Sequence, residues 1–390
     1  MNLPDLRDLR SLTRPRPHAP QADPEALTRR VTEAVGGVVD PVLGRNLGEL
    51  GLVGDVVVER GRLVVAVRRV TDTDTTDARD RDLHDRVVEA VRSVTDVRDV
   101  RVDLVPMDEA ARQDLSHRLR QSHRRPGGLS DSTAVYAVGS GKGGVGKSTL
   151  TANLAVALSR QGRRVGVLDA DVWGYSMPQL FGVREAPVAV KGIMLPVEAQ
   201  GIALMSVGFF VDDDEPVVWR GPMLHKALEQ FLDDVYWGDL DVLLVDLPPG
   251  TGDVTLSVVE LLPDAAMLVA TTPQVAAEQV AARVGRMARD ARMPLAGVVE
   301  NMSGTLCPHC GETTPAFGAG GGQRLAATLD TTLLGRVPLD PALCSAGDAG
   351  VPLVLSAPSS ATARELARVA DSLPSVRRSM VGKSLPLFVS

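Results

Sequence analysis

The chain has 390 residues with 44% hydrophobic and 23% charged residues and a formal net charge of -7, a globular composition with length for two domains. The acidic balance argues against a dedicated nucleic-acid binder. Three cysteines, Cys307, Cys310 and Cys344, are too few and odd in number for a disulfide framework, which points to a reducing cytoplasmic setting. No stretch has the apolar core of a signal peptide or the length of a membrane span, so no stable membrane association is expected. With only 3% aromatic residues, the cores must be built from Val, Leu and Ala, as in a parallel sheet covered by helices.

Residues 1–22 are rich in Pro, Arg and Asp and poor in apolar side chains, and they read as a flexible tail. From Asp23 the pattern changes. Asp23 stands at a cap position, Pro24 at the first helical position, and Leu27, Val31, Ala34 and Val35 recur on one face until Gly36 and Gly37. Strands over 55–58 and 63–67, joined as a hairpin through 59–62, precede a helix over 81–94, a strand over 100–105 and a helix over 108–119. Together they predict a small α+β domain over 23–121. Residues 122–133, SHRRPGGLSDST, read as a linker. Beyond it, over 134–390, aliphatic runs at 164–168, 242–245, 267–270, 295–299 and 333–337 alternate with helical patterns. That alternation predicts an α/β domain with a mainly parallel sheet.

The densest signal is 134–154, AVYAVGSGKGGVGKSTLTANL: an apolar strand, a glycine-rich turn, then helix-forming residues. Gly141, Gly143, Gly144 and Gly146 let the backbone turn and aim its N–H groups inward around Val145, while the following helix adds the positive end of its dipole. The spacing from Gly141 to Ser148 suits a nucleoside triphosphate with Mg²⁺: Lys147 neutralises the β and γ phosphates, the Ser148 hydroxyl ligates the ion, and Thr149 lies near the α phosphate. A second strand ends in Asp169-Ala170-Asp171, at the edge where such sheets bind ligands. Residues 242–246 form an aliphatic strand closed by Asp246, which fits a magnesium-holding carboxylate. The turn LPPGTGD follows, with Pro248, Pro249, Gly250 and Gly252 ahead of Asp253.

The loop carries an extra lysine, Lys142, within KGGVGKST, and in this it resembles the ATPases related to nitrogenase iron protein and to the septum-positioning Min and plasmid-partitioning Par proteins. The resemblance implies an ATP-dependent homodimer in which Lys142 reaches across to the partner's phosphates. It also implies that Asp171 orients the attacking water, that Asp169 belongs to the magnesium shell, that Asp253 is the second-switch acid, and that Asn301 reads the adenine. The segments WGYSMP, WRGPM and PPGTGD narrow the likeness. The region from Ala134 to about Ala370 resembles the Mrp/ApbC-type iron-sulfur carrier ATPases, which implies ATP hydrolysis coupled to delivery of a [4Fe-4S] cluster to apo iron-sulfur proteins.

Cys307-Pro308-His309-Cys310 supplies two thiols three apart, and a stable thiolate site wants four. Two copies across a two-fold axis would supply four, enough for a cluster bridging a dimer or for one Zn²⁺; sulfur ligands alone do not choose between these. The choice of iron comes from the resemblance. Cys344 has no neighbouring partner and is expected to pack in a core. No histidine, His309 included, is assigned as a ligand.

Residues 31–119 resemble the small domain of unknown function found in iron-sulfur assembly factors, with Asp40-Pro41 and Gly51-Leu52-Val53 the best matches. Members usually place a cysteine after the second strand, where this chain has TDTDTTDARDRD, so the expected role is docking rather than cluster binding. The rival reading is a spatial-organising ATPase of the Min or Par kind. Only the basic and apolar residues 376–389, VRRSMVGKSLPLFV, speak for it as a membrane-surface helix, and Pro386 interrupts them.

Overall fold

The computed structural model describes residues 24–59, 62–70, 78–97, 99–122, 129–130, 132–211, 221–306 and 312–376. The tail 1–22, most of the linker, Trp219 and Arg220, the thiol pair Cys307 and Cys310, and nearly all of the C-terminal segment lie outside the described residues. The chain divides into two compact units, one ending at Ala111 and one beginning at Arg112.

In the first unit, α1 (Pro24–Gly36) and the short α2 (Leu47–Leu50) precede β1 (Val53–Glu59) and β2 (Arg62–Arg69), then α3 (Ala78–Val94) and β3 (Val100–Pro106). The expected hairpin is present, with Glu59 opposite Arg62, and β3 lies parallel to β2 in a sheet of order β1-β2-β3. Alternation along β2 buries Leu63, Val65 and Val67 on one face, and Val31, Val35, Val87 and Val91 of α1 and α3 are fully buried, the pattern of an amphipathic helix against a half-covered sheet. Asp40, in the Asp-Pro step after α1, is buried, and its Oδ1 accepts from the N–H groups of Val42 and Leu43 at 2.9 and 2.8 Å. α4 (Glu109–Ser122) straddles the division between the units.

The second unit is an α/β fold. In chain order it has β4 (Ala134–Ser140), α5 (Lys147–Arg160), β5 (Val165–Asp169), α6 (Met177–Leu180), β6 (Val188–Val190), β7 (Ile193–Leu195), β8 (Val197–Ala199), β9 (Ile202–Ser206) and α7 (Gly221–Asp233). Then come β10 (Val242–Asp246), α8 (Asp253–Leu261), β11 (Ala266–Thr271), α9 (Val275–Asp290), β12 (Leu295–Glu300), β13 (Thr305–Leu306) and β14 (Thr313–Thr314). The unit closes with α10 (Gly321–Thr328), β15 (Leu333–Arg336), α11 (Pro341–Asp348), α12 (Leu353–Ser356) and α13 (Ala361–Asp371). Eight strands form the main sheet in the order β15-β12-β11-β4-β10-β5-β9-β8, and every pair is parallel except β8 with β9. β4 thus lies inside the sheet, flanked by β10 and β11. Its side chains alternate between two cores, Tyr136 and Val138 into one, Val135 and Ala137 into the other, so both faces are covered by helices.

The excursion 188–206 is the part of the fold that hydrophobic periodicity does not reveal. Its strands are three to five residues long, too short to show a period, and both hairpins turn on a residue followed by glycine. Lys191 and Gly192 have φ of +51° and +81°, Gln200 and Gly201 have +56° and +77°, the double positive φ of a two-residue turn matched to strand twist.

Burial raises the Asp40 carboxyl above its ordinary range, with the two N–H bonds pulling the other way. A raised acid binds its proton more tightly in the folded state, so stability falls as pH rises from the ordinary carboxylate value through the raised one. Asp40→Asn keeps an acceptor for both N–H groups and cannot ionise. It is expected to flatten that part of the stability profile of the first unit and to be at least as stable as the parent at pH 7, measured by urea unfolding across pH.

Candidate nucleotide site

Parallel register brings the acids together. Asp246 at the end of β10 stands opposite Asp169 of β5 on one side and Val138 of β4 on the other, and the turn after β4 leads directly into α5. Gly141 has no space for a side chain, since a Cβ there would stand 2.3 Å from the Ala281 nitrogen of α9. Gly144 and Gly146 have φ of +75° and +80°, which favours glycine at both positions. Gly146 is the N-cap of α5 and no side chain caps that helix, so the N–H groups of its first turn are left for an anion.

Lys147, 6% exposed, directs its ammonium to Asp246 Oδ2 and lies 3.7 Å from Asp171 Oδ2. Ser148 donates to the same Asp246 oxygen at 2.6 Å, and Thr151 donates to Asp246 Oδ1 at 2.7 Å. Asp246 is completely buried, and these three donors compensate it. The following turn folds back on the loop, Leu247 N–H to Val138 O at 3.0 Å and Gly250 N–H to Ser140 O at 2.7 Å. A cleft of about 520 Å³ opens over this floor, lined by Lys142, Gly143 to Thr149, Asp171, Trp173, Gly174, Pro248 and Pro249. Lys142 is exposed on its wall. A hydroxyl and a carboxylate within hydrogen-bonding distance, beside an uncapped helix start, are the hard-oxygen donors that Mg²⁺ with a polyphosphate requires. Ser148 and Asp246 fit that ion.

Asp171 shares the cleft. Its Oδ1 accepts from Gly174 N–H at 3.1 Å, and burial pushes its carboxyl up while Lys147 pulls it down. Asp169, which the resemblance assigns to the magnesium shell, stands opposite Asp246 in the sheet and holds the adjoining loop. Its Oδ2 accepts from the N–H groups of Ser176 and Met177 and the hydroxyl of Ser206, each at 3.1 Å, and its Oδ1 from Asp171 N–H at 3.2 Å. It pins the loop 170–177 to the end of β9. Burial and the facing Asp246 charge push Asp169 up to about 7.

Asn301, buried at the end of β12, donates from its side-chain amide to the Val145 carbonyl at 2.9 Å and so braces the phosphate loop. Asp253 is exposed in the first turn of α8, close to Gly221 at the start of α7. Cys344 corrects an expectation: it is exposed on α11, not packed in a core, with its thiol 3.8 Å from Asp348 Oδ2. It sits one position after the buried Leu343, and the helix turns it outward. Among the described residues no group of three or more acidic, His or Cys side chains is arranged to hold a metal, and no helix is long and apolar enough to cross a membrane.

Sequence reading does not single out Thr151, Ser206 or Glu300. Thr151 carried a signal, because it lies four residues after Lys147 and so one turn further on the same helix face. Ser206 meets Asp169 of β5, and Glu300 meets Gly322 of α10 and Arg336 of β15, all distant in the chain.

A parallel sheet with a glycine-rich loop between its central strand and a buried helix, and with Lys147, Ser148 and Asp246 in contact, defines a P-loop NTPase. Residues 131–374 match the family described as NUBPL iron-transfer P-loop NTPase, within the ParA group. The chain is 47% identical to the iron-sulfur cluster carrier protein of Mycobacterium tuberculosis (strain ATCC 25618 / H37Rv) over 379 residues, which is 93% of this chain and 97% of that one. It is 39% identical to the iron-sulfur cluster carrier protein of Bacillus subtilis (strain 168), over 79% of this chain and 87% of that one. Among solved structures, a nucleotide-binding protein from Archaeoglobus fulgidus in complex with ADP is 37% identical, with a TM-score of 0.49, over 56% of this chain and 87% of that one. The chain belongs to the iron-sulfur cluster carrier family of P-loop NTPases.

Thr151→Val removes one of three donors to a fully buried carboxylate while keeping the side-chain volume. It is expected to cost about 1–3 kcal/mol of stability in the nucleotide-free second unit, read as a lowered urea midpoint with the m-value unchanged.

Proposed function

We propose that this protein is an ATP-hydrolysing iron-sulfur cluster carrier that acts as a cytoplasmic homodimer and delivers a [4Fe-4S] cluster to apo iron-sulfur proteins. The observation that carries the nucleotide half is the uncapped start of α5 above the contact of Lys147 and Ser148 with Asp246. The family carries the cluster half. In this reading the backbone from Gly141 to Thr149 cradles the phosphates, Lys147 moves from Asp246 toward the β and γ oxygens, and Ser148 with Asp246 holds Mg²⁺. The ion supplies charge neutralisation at the phosphates. Asp171, 3.7 Å from the Lys147 ammonium, orients the attacking water. Lys142 is exposed at the rim, where a second copy's phosphates can meet it. Asp253 answers to the γ phosphate through the 247–252 turn, and Asn301 joins the adenine to the phosphate loop that it already braces.

Cys307 and Cys310 from each of two copies hold the cluster as cargo. Two ligands per chain make it labile, because any shift of one subunit against the other strains it. Residues 23–121 form a docking domain and 134–390 the ATPase domain, joined by the linker 122–133. Neither nucleic acid nor a stable membrane contact belongs to the cycle.

Lys147→Ala is expected to slow ATP hydrolysis by about a hundredfold or more, whereas Lys142→Ala leaves ADP affinity intact and slows turnover alone. Normal hydrolysis by Lys142→Ala would remove the trans role. After anaerobic reconstitution, Cys307→Ser or Cys310→Ser is expected to bring iron and sulfide to background and Cys344→Ala to retain them, with hydrolysis persisting in all three. Native mass spectrometry is expected to show one cluster per two chains; a monomer carrying a full cluster would end the bridging model.

A further inference from the structure

The end of β12 carries a carboxylate, Glu300, whose partners are not among the residues that line the nucleotide cleft. Glu300 is completely buried. Its Oε1 accepts from the Ser303 hydroxyl, its Oε2 accepts from Gly322 N–H in the first turn of α10, and Arg336 Nε of β15 lies 3.8 Å from Oε1. The packing leaves no slack, since a Cβ on Gly322 would stand 2.6 Å from Glu300 Cβ. A carboxylate taken out of water is tolerated only with such partners, and here they come from a loop, a helix and a neighbouring strand.

The next residue belongs to the nucleotide site. Asn301 donates its amide to Val145 of the phosphate loop at 2.9 Å, its backbone N–H bonds Thr271 O at 2.8 Å, and a Cβ on Gly146 would stand 2.2 Å from its amide nitrogen. The chain then bends through Met302 and Gly304, with φ of +56° and +100°. Ser303 N–H bonds Val337 O at 2.9 Å, Leu339 N–H bonds Gly304 O at 2.8 Å, and Thr305 and Leu306 pair with Thr314 and Thr313. In sequence, Leu306 is followed by Cys307.

We propose that Glu300 and Ser303 are positioning residues that make 301–306 one stiff connection, so that a change at Val145 and Gly146 on nucleotide binding is transmitted to the strand leading into the thiol pair. The inference deepens the proposed carrier function, and rests on it for the purpose of the coupling. The coupling itself is measured without a cluster. Among the described residues it is a chain of packed, hydrogen-bonded contacts that runs from Val145 to Leu306, and by linkage a nucleotide that changes the state of the segment has its own affinity changed by that state.

The test is the rate at which iodoacetamide alkylates Cys307 and Cys310 in the reduced, cluster-free full chain, with and without MgADP, read by mass spectrometry. MgADP is chosen because it lacks the γ phosphate that Lys142 of a second copy is proposed to meet, and the exposed Cys344 is the internal reference. In the parent, MgADP is expected to change the rate at the pair by about fivefold and to leave Cys344 unchanged. Ser303→Ala is expected to reduce that change to about twofold or less, with ADP affinity by calorimetry as in the parent. Glu300→Gln offers an oxygen to Gly322 N–H and an amide to the Ser303 hydroxyl, and is expected to keep the response. The proposal is overturned by parent rates indifferent to MgADP, by a full response in Ser303→Ala, or by a lost response that merely follows lost ADP affinity. Iron and sulfide analysis is separate: a chain that passes the alkylation test and binds no cluster retains the coupling and loses the carrier function.

Discussion

A single buried carboxylate organises the second unit. Asp246 has no contact with solvent and is held by an ammonium and two hydroxyls that all come from the first five residues of α5. Removing one member of such a buried pair costs about 3–5 kcal/mol, so the start of α5 is locked to the end of β10 in the absence of nucleotide. The same lock sets up the exchange that a phosphate needs. An anion at the uncapped helix start competes with Asp246 for Lys147, and the hydroxyl of Ser148 is already beside the carboxylate.

The surrounding sheet exists to hold that contact in register. Because β10 runs parallel between β4 and β5, the phosphate loop and the acids after β5 emerge on one edge, either side of Asp246. Glycines finish the geometry at two positions in different ways: Gly141 because α9 occupies the volume of any side chain, Gly146 because the backbone turns left-handed against the Asn301 amide. Substituting the first creates a clash with backbone that cannot move away, which is a packing constraint as much as a binding one.

Three strands of this sheet end in acids, and the structure gives them unequal work. Asp246 faces Lys147. Asp169 caps the loop 170–177 through two backbone N–H groups and ties it to Ser206, while Glu300 joins the loop after β12 to the start of α10. The loop that Asp169 holds borders the nucleotide cleft through Asp171, Trp173 and Gly174, whereas the loop that Glu300 holds follows Asn301, which braces the phosphate loop from behind at Val145. The elevated Asp169 carboxyl follows from that placement, with its desolvation and the facing Asp246 acting in the same direction.

Much of this protein is legible in its sequence, because local chemistry carries it. The loop 141–149, the strand closed by Asp246, the α/β alternation and the elements of the first unit other than the four-residue α2 all follow from spacing, glycine placement and hydrophobic period, and those are properties of neighbouring residues. Thr151 was within reach of the same reasoning through helical spacing. The excursion 188–206 was not, since strands of three to five residues show no period and are defined by what they pair with. The exposure of Cys344 depended on which face α11 turns to the core. Most of all, an aspartate or glutamate at the end of an aliphatic run looks the same at 169, 246 and 300. Only the tertiary structure decided that one meets a lysine and two meet backbone N–H groups, because strand order and register, which bring together residues 22 to 99 positions apart, are set by the packing of the whole sheet and not by any segment of it.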